Sequence, residues 1–202
     1  MTGEITWYDR NSIEIHCFVM AATQTRNVPH LLIEDGFLKK QSELFQTLVE
    51  TIDWETSMTA RKTASFGVPY NYVQMTYAAV PMHPALMLVS DRLFDRLGIR
   101  FNNCLLNYYE TGYNRMGFHA DDTTGLEPET GVAIVSIGSP RAITYRHKLD
   151  PELRHKFTLQ PGSLLYMESA VQEDWFHAIN RQKGVGPRIS LTWRLFKEGD
   201  IE

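Results

Sequence analysis

The stretch NYYETGYNRMGFHADD, residues 107–122, carries the densest set of chemically useful side chains in the chain. His119 and Asp121 stand two positions apart, so on an extended strand or at its end their side chains point to the same side. Two histidines and one carboxylate on one face of a metal, with the other face open, are typical of non-haem Fe(II) oxygenases. The stretch therefore offers two of three ligands, although alone it would equally suit a strand-end histidine bonded to a neighbour.

A second histidine must come from far along the chain, and His177 in the segment WFHAIN is the best candidate. It has apolar neighbours and an extended setting, as a ligand at the end of a buried strand would have. The other histidines lie in the N-terminal scaffold, before a helix, or among basic residues that would repel a cation: His16, His30, His83, His147 and His155.

The segment RISLTWRLF, residues 188–196, predicts a strand with an unusual polar face. Alternation places Arg188, Ser190, Thr192 and Arg194 on one side. A buried guanidinium needs an anionic partner, and a dicarboxylate such as 2-oxoglutarate would serve both arginines. Six residues span about 20 Å on a straight strand, so convergence requires long side chains or curvature.

Composition indicates one globular domain, residues 1–202, with 43% hydrophobic and 11% aromatic residues. No signal peptide or membrane span is evident, and two cysteines suit a reducing compartment, so we expect a cytoplasmic or nuclear monomer. A net charge of −4 argues against broad polyanion binding. Small basic groups could still form a local groove or be solvated surface charge: residues 61–62, 146–148, 154–156 and 181–183.

Hydrophobic periodicity predicts an α+β, mainly β fold. Residues 1–33 read as extended edge scaffolding, with alternation from Ile13 to Cys17. One helix is predicted after Gly36, and a second begins at Pro84 and ends at Gly98. Short strands separated by turn signals then predict a sandwich or jelly-roll core over about residues 101–196. They span residues 101–109, 132–138, 142–146, 156–159, 163–168, 175–180 and 188–196.

The segment ARKTASFGVPYNYVQMT, residues 60–76, is predicted to be a loop or hairpin. Basic groups interleaved with aromatic rings favour binding to nucleic acid, because the cations bind phosphate groups and the rings stack on an exposed base. An aromatic-packed hairpin without a ligand fits the same composition. Trp54 beside it is either a buried anchor or an exposed aromatic at a binding surface.

These motifs together resemble the AlkB family of Fe(II)- and 2-oxoglutarate-dependent dioxygenases, closest to its DNA-repair homologues. The resemblance rests on NYY before HADD, the distal His177, and RISLTWR as the family's R-x-[NS]-x-T-aromatic-R signature. It extends to ARKTASFG and to RHK at residues 146–148, and so covers about residues 30–196.

The resemblance implies a double-stranded β-helix (jelly-roll) core with two supporting helices and a nucleotide-recognition lid at about residues 54–76. It implies Fe(II), 2-oxoglutarate and O₂, with His119, Asp121 and His177 as catalytic iron ligands. The implied 2-oxoglutarate contacts are Asn107, Tyr109, Arg188, Ser190, Thr192 and Arg194. The implied substrate contacts are Arg61, Phe66, Tyr70, Tyr72 and Asp122.

The implied activity is oxidative demethylation of N-alkylated bases of the 1-methyladenine and 3-methylcytosine type in DNA or RNA, with release of formaldehyde. Two departures concern the substrate: Tyr108 stands where close relatives carry a basic residue, and residues 52–60 lack an apolar duplex wedge unless Trp54 replaces it. The alternatives are hydroxylation of a metabolite, lipid or protein side chain, which the acidic pI suggests, and a catalytically silent jelly roll that binds modified RNA or a partner.

Overall fold

The computed structural model describes residues 5–7, 27–72 and 75–197 of the 202-residue chain. Within these ranges, only the backbone is described for residues 5–7, 70–72 and 75–76. The predicted alternating segment from Ile13 to Cys17 lies outside the described residues. Thirteen strands and three helices make up the described part. The strands are β1 Ile5–Trp7, β2 Leu31–Glu34, β3 Lys62–Gly67, β4 Tyr70–Tyr72, β5 Met75–Tyr77, β6 Asn103–Tyr109, β7 Met116–His119, β8 Val132–Gly138, β9 Arg141–His147, β10 Arg154–Leu159, β11 Leu164–Met167, β12 Trp175–Ile179 and β13 Arg188–Arg194.

Two antiparallel sheets face each other and confirm the predicted mainly β, jelly-roll architecture. The major sheet has the strand order β1-β2-β11-β8-β13-β6-β3, and the minor sheet has the order β10-β9-β12-β7. Neighbours in both sheets come from distant parts of the chain, as in double-sheet jelly rolls. The space between the sheets holds one apolar cluster, which includes Tyr109, Ile134, Tyr145 and Trp175.

Two helices cover the outer face of the major sheet, as predicted. Helix α1, Gln41–Thr51, buries Leu48, and helix α2, Pro84–Leu97, buries Leu86, Val89 and Leu93. Proline is tolerated at the first turn of α2 because its missing N–H would have no partner there. Gly98 ends the helix at φ 71°, a conformation that glycine adopts without strain. No helix among the described residues is long and apolar enough to cross a membrane.

Two elements differ from the sequence prediction. Residues 62–67, predicted as part of a loop or hairpin, form the edge strand β3 of the major sheet, whereas the strands β4 and β5 pair antiparallel with each other. Thr63, Ala64 and Ser65 are all buried, so both faces of β3 are covered and its sequence lacks the period of two on which recognition depends. A short third helix, α3 Ser169–Asp174, was not predicted.

Candidate functional site

Three potential metal ligands meet at the end of the minor sheet. Strand β7 ends at His119, and His177 of β12 lies directly opposite it in the antiparallel register. The two ring centroids are 4.2 Å apart. Asp121 follows β7 by two residues and brings a carboxylate to the same point, so that one ligand atom from each residue lies within 4.8 Å of the others. This is the only such group among the described residues.

Asp121 is held as an anion despite its burial. Burial alone would raise the pKa of Asp121, but the Arg194 guanidinium and the imidazoles of His177 and His119 hold that pKa at about 2. The Nη2 atom of Arg194 donates to Oδ1 of Asp121 at 2.6 Å. The carboxylate is therefore ionised at neutral pH, as a metal ligand must be.

The two histidines are in the form that binds metals. Burial lowers the pKa of His177 to about 4 and also lowers the pKa of His119, so both rings are neutral at pH 7. Nδ1 of His119 lies 2.9 Å from the carbonyl oxygen of Gly117. With its proton on Nδ1, this ring would leave Nε2 for a metal. Two neutral imidazoles and one carboxylate are a donor set that fits iron(II).

Arg188 is a buried cation with an incomplete set of partners. It is 1% exposed, and its Nη2 atom donates to Oγ of Ser136 at 2.8 Å. Its Nε and Nη1 atoms have no hydrogen-bond partner in the part of the chain that the structure describes. Burial lowers the pKa of Arg188 to about 10, so the side chain stays charged at neutral pH. An anion is required beside it, and a carboxylate of 2-oxoglutarate fits this requirement.

One cavity contains all nine residues predicted to bind the metal or 2-oxoglutarate. Strand β13 supplies Arg188, Ser190, Thr192 and Arg194, and β6 beside it supplies Asn107 and Tyr109. The two arginines mark different ends of this cavity, because Arg194 contacts Asp121 whereas Arg188 contacts Ser136. Five apolar side chains complete the lining: Leu105, Met116, Ile134, Ile143 and Ile179.

Tyr109 is fixed between two buried guanidiniums at one end of the cavity. The Arg188 and Arg141 guanidinium carbons each lie 5.5 Å from the centroid of its ring. The phenol hydroxyl reaches towards Met116, with 3.9 Å between its oxygen and the sulfur. These contacts position the ring at the cavity wall, and its contact with 2-oxoglutarate stays a prediction.

The predicted substrate contacts, unlike the metal and 2-oxoglutarate residues, do not all lie at one cavity. Arg61 is buried and donates from Nε to Oδ1 of Asn107 at 2.6 Å, which brings it to the cavity. Asp122 is exposed and directly follows Asp121, and hydrogen bonds from the hydroxyl and the N–H of Thr124 lower the pKa of its carboxyl. Contact of either residue with substrate stays a prediction.

The aromatic candidates differ from these two. A second apolar cluster, which includes Leu48, Leu93 and Trp193, lies between the helices and the major sheet, and we call it the helix-side cluster. The Phe66 ring packs against it, with its centroid 5.6 Å from that of His83. The structure does not bring it to the three ligands. Tyr70 and Tyr72 lie on the hairpin strand β4, but their side chains are outside the described residues, so their base contacts stay predictions.

Two site residues were missed by sequence reasoning. Ser136 contacts Arg188 from β8, and a lone hydroxyl in the apolar run VAIVSIG is a signal that could have identified it. Gln172 contacts Asp121 from α3. A six-residue helix gives no periodic signal, and nothing in the segment SAVQED marks Gln172 as different from a surface residue.

Comparison with known proteins agrees with this geometry. The family model described as "2OG-Fe(II) oxygenase superfamily" matches residues 25–194. The bovine protein "Alpha-ketoglutarate-dependent dioxygenase alkB homolog 3" is 31% identical over 177 residues, which cover 78% of this chain and 62% of the relative. The human "DNA oxidative demethylase ALKBH2" is 31% identical over 175 residues, covering 75% and 67%. The chain thus spans about two thirds of the length of these relatives.

A solved structure of OsALKBH1 has the same fold, with a TM-score of 0.64 at 16% identity. The superposition covers 83% of this chain and 98% of the other chain. At this identity the likeness concerns the fold alone. The family model, however, covers most of the chain and includes the nine cavity residues that were predicted to bind the metal or 2-oxoglutarate. The chain therefore belongs to the 2OG-Fe(II) oxygenase superfamily, and the relatives found for it there are AlkB homologues.

Proposed function

We propose that the protein is an Fe(II)- and 2-oxoglutarate-dependent dioxygenase that removes alkyl groups from nucleobases in DNA or RNA. The observation that carries this proposal is the single cavity in which His119, Asp121 and His177 converge, while the buried cation of Arg188 has no anionic partner within the described ranges. The names of the relatives, an alkB homologue and a DNA oxidative demethylase, support the choice of substrate.

The residues of the cavity would divide the work between metal and cosubstrate. His119, Asp121 and His177 would hold the iron, while Arg188, Ser190 and Tyr109 would bind one end of 2-oxoglutarate and Arg194, Asn107 and Thr192 the other. When bound, iron and 2-oxoglutarate supply an O₂-dependent oxidation that converts 2-oxoglutarate into succinate and CO₂ and an N-methyl group into N-hydroxymethyl. The adduct then breaks its C–N bond, releases formaldehyde and leaves the N–H base.

Protein side chains would prepare the substrate for this step. The five apolar side chains of the cavity lining would limit the access of water, which would strengthen the electrostatic interactions inside it. The ionised carboxylate of Asp122, which follows the proposed ligand Asp121, would attract a base that carries a positive charge through methylation. A base must leave its stack to reach the cavity, and this is easiest for a lesion that cannot pair or for a single strand.

A basic outer surface on the minor sheet favours nucleic acid over a small metabolite. We call it the basic face and define it by Arg146, Lys148, Arg154 and Lys156 with the rings of Phe118 and Phe176. The register places Arg146 and Arg154 side by side, on the opposite side of the sheet from Tyr145 and His177. The guanidinium carbon of Arg146 lies 4.2 Å from the Phe118 ring centroid.

The four strands of the minor sheet contain no aspartate or glutamate, although the whole chain has a net charge of −4. Clustered cations on one face are what phosphate binding requires. Phe118 and Phe176 each precede a proposed iron ligand on the same strand, so the basic face lies directly behind the metal site. A nucleic-acid strand bound there would be close to the cavity.

Charge reversal at Arg154 and Lys156 is expected to weaken oligonucleotide binding by roughly ten- to a hundredfold and to reduce the slope of log affinity against log salt by about two. Both side chains are exposed and belong to no part of the cavity. Turnover of a methylated nucleoside, which has no phosphate backbone, should be unchanged. Lys39→Glu, an exposed lysine elsewhere, is the control. Equal binding by the double variant and the control would contradict a role for the basic face.

We further propose that unpaired or single-stranded substrates are preferred. Trp54 is not exposed as a wedge: its ring centroid lies 5.2 Å from that of Tyr108, and it packs against the helix-side cluster. Its neighbours Asp53 and Glu55 are exposed and would repel the phosphates of a duplex. Nothing in this segment would therefore replace a base in its stack.

The direct test is anaerobic reconstitution with Fe(II), followed by air, 2-oxoglutarate and methylated oligonucleotides. Formaldehyde and the mass of the repaired base are measured for single and double strands of DNA and RNA. We expect methyl loss that depends on 2-oxoglutarate and is fastest on single strands. Succinate formation without methyl loss on any of these substrates would contradict the nucleobase assignment and favour hydroxylation of a metabolite, lipid or protein side chain.

A further inference from the structure

Gln172 contacts Asp121 at two points, although it is not among the potential metal ligands. Its side chain is 4% exposed and projects from the short helix α3. Oε1 of Gln172 accepts a hydrogen bond from the backbone N–H of Asp121 at 2.9 Å. Nε2 lies 3.5 Å from Oδ2 of the same aspartate. One amide thus contacts both the main chain and the carboxylate.

Asp121 needs such support because the strand that precedes it ends at His119. From residue 120 to residue 125 no strand pairing fixes the backbone. On the carboxylate, Arg194 donates to Oδ1 and Gln172 approaches Oδ2. The two donors act on different oxygens and so define the orientation of the carboxylate plane. His177 lies on the Oδ2 side, with Nε2 at 3.9 Å.

Helix α3 is itself anchored, which makes the Gln172 amide a firm support. Nζ of Lys148 donates to the carbonyl oxygen of Gln172 at 2.7 Å, and the backbone N–H of Lys148 donates to the carbonyl oxygen of Asp174 at 2.8 Å. Val171 is buried beneath the helix. The Gln172 amide also reaches the sulfur of Met167, with 3.7 Å between Nε2 and Sδ.

We propose that Gln172 is a positioning residue for the carboxylate of Asp121, which it orients towards the two imidazoles. The proposal rests on the proposed function, since it concerns the same metal site. Outer partners of metal ligands typically change metal affinity by about 10- to 100-fold when they are removed. Gln172 would act in this way through Asp121, without touching substrate.

The test replaces Gln172 with methionine, which keeps the length of the side chain and removes both amide contacts. Co(II) serves as a probe that needs no turnover: its affinity is measured by titration and its ligand geometry by the visible absorption spectrum. We expect Gln172→Met to weaken Co(II) binding about tenfold and to change the spectrum. The matched control is Gln182→Met, because the Gln182 amide accepts a backbone hydrogen bond from Ala142 at 3.3 Å outside the cavity. It should bind Co(II) as the unmodified protein does.

The outcomes separate the two proposals. If the unmodified protein binds Co(II) and Gln172→Met binds it with the same affinity and spectrum, the positioning role is wrong while the metal site stands. A lower melting temperature with unchanged Co(II) affinity would likewise reduce Gln172 to a packing residue. If the unmodified protein takes up no metal, the proposed function fails together with the positioning role. Weaker binding and an altered spectrum without any demethylation would support the positioning role and leave the choice of substrate wrong.

Discussion

His177→Ala is expected to abolish iron binding and all turnover, including uncoupled formation of succinate. The reason is geometric, because β12 places His177 directly opposite His119, and no other histidine joins the group of potential ligands within the described residues. Removal of one imidazole leaves two ligands, and two ligands cannot retain the metal against water at low Fe(II) concentration. Metal content by elemental analysis and succinate formation measure the two effects.

A second buried histidine of the minor sheet provides the control. His147 is 4% exposed, close to the 5% of His177, but its Nδ1 accepts hydrogen bonds from the backbone N–H groups of Leu149 and Asp150. His147→Ala should therefore lower the melting temperature, since it removes these bonds and a contact with Trp175, and should leave iron binding intact. Retained activity in His177→Ala would show that the third ligand has been wrongly assigned.

The strands and the distal ligand could be predicted because each has a local pattern. Alternation in RISLTWR gives the strand Arg188–Arg194 its polar face, and the predicted strand at residues 132–138 has the observed bounds. Helix α2 was predicted from Pro84 to Gly98 because proline and glycine mark its two ends. The distal histidine could be chosen by elimination, since the other histidines have basic or scaffold surroundings.

Other features depend on contacts between distant residues and have no local signal. The sequence could not show that Gln172 faces Asp121, because 51 positions separate them and α3 is only one and a half turns long. Nor could it show that the basic groups at residues 146–148 and 154–156 lie side by side, since this follows from the antiparallel pairing of β9 with β10. Strand β3 was read as a loop because tertiary packing covers both of its faces.

The distance between the two arginines of β13 is compatible with a proposed ligand that lies between them. They are six positions apart on β13, which is about 20 Å on a straight strand, yet both line the same cavity. They need not converge on one carboxylate, because Arg194 is occupied by Asp121 and Arg188 remains available at the other end. An elongated dicarboxylate between them would satisfy each arginine separately.

Arg188→Met is expected to weaken 2-oxoglutarate binding by roughly two to three orders of magnitude, because a buried, charge-assisted contact to a carboxylate is lost. The same substitution should leave the melting temperature of the ligand-free protein unchanged or raise it. Without an anion, the fold keeps a guanidinium that is 1% exposed and whose Nε and Nη1 atoms have no hydrogen-bond partner among the described residues. An apolar side chain of similar length removes that desolvation cost.

The pH dependence of 2-oxoglutarate affinity should report the same group. Burial lowers the pKa of Arg188 to about 10. The cation that holds the carboxylate is therefore present below that pH and is lost as the pH rises through it. Calorimetric titrations should show affinity falling above pH 10 in the unmodified protein, and Arg188→Met should lack this fall. A steep decline in the variant as well would assign the titration to another group.

Arg141→Met is the control for Arg188→Met, because it removes a buried arginine that has three acceptors in the protein. Arg141 is also fully buried, but it donates to three carbonyl oxygens, those of Thr111, Asn114 and Asn180. Its removal takes away three hydrogen bonds, although Thr111 keeps the backbone N–H of Asn114 as a donor. Each acceptor left unpaired costs about 1–3 kcal/mol, so the melting temperature should fall by several degrees in thermal denaturation. If Arg188→Met lowers the melting temperature as much as Arg141→Met does, then Arg188 stabilises the fold and is not a site kept for an anion. A lower melting temperature is expected for Arg141→Met alone, because three carbonyl oxygens accept from Arg141, whereas two nitrogens of Arg188 have no partner among the described residues.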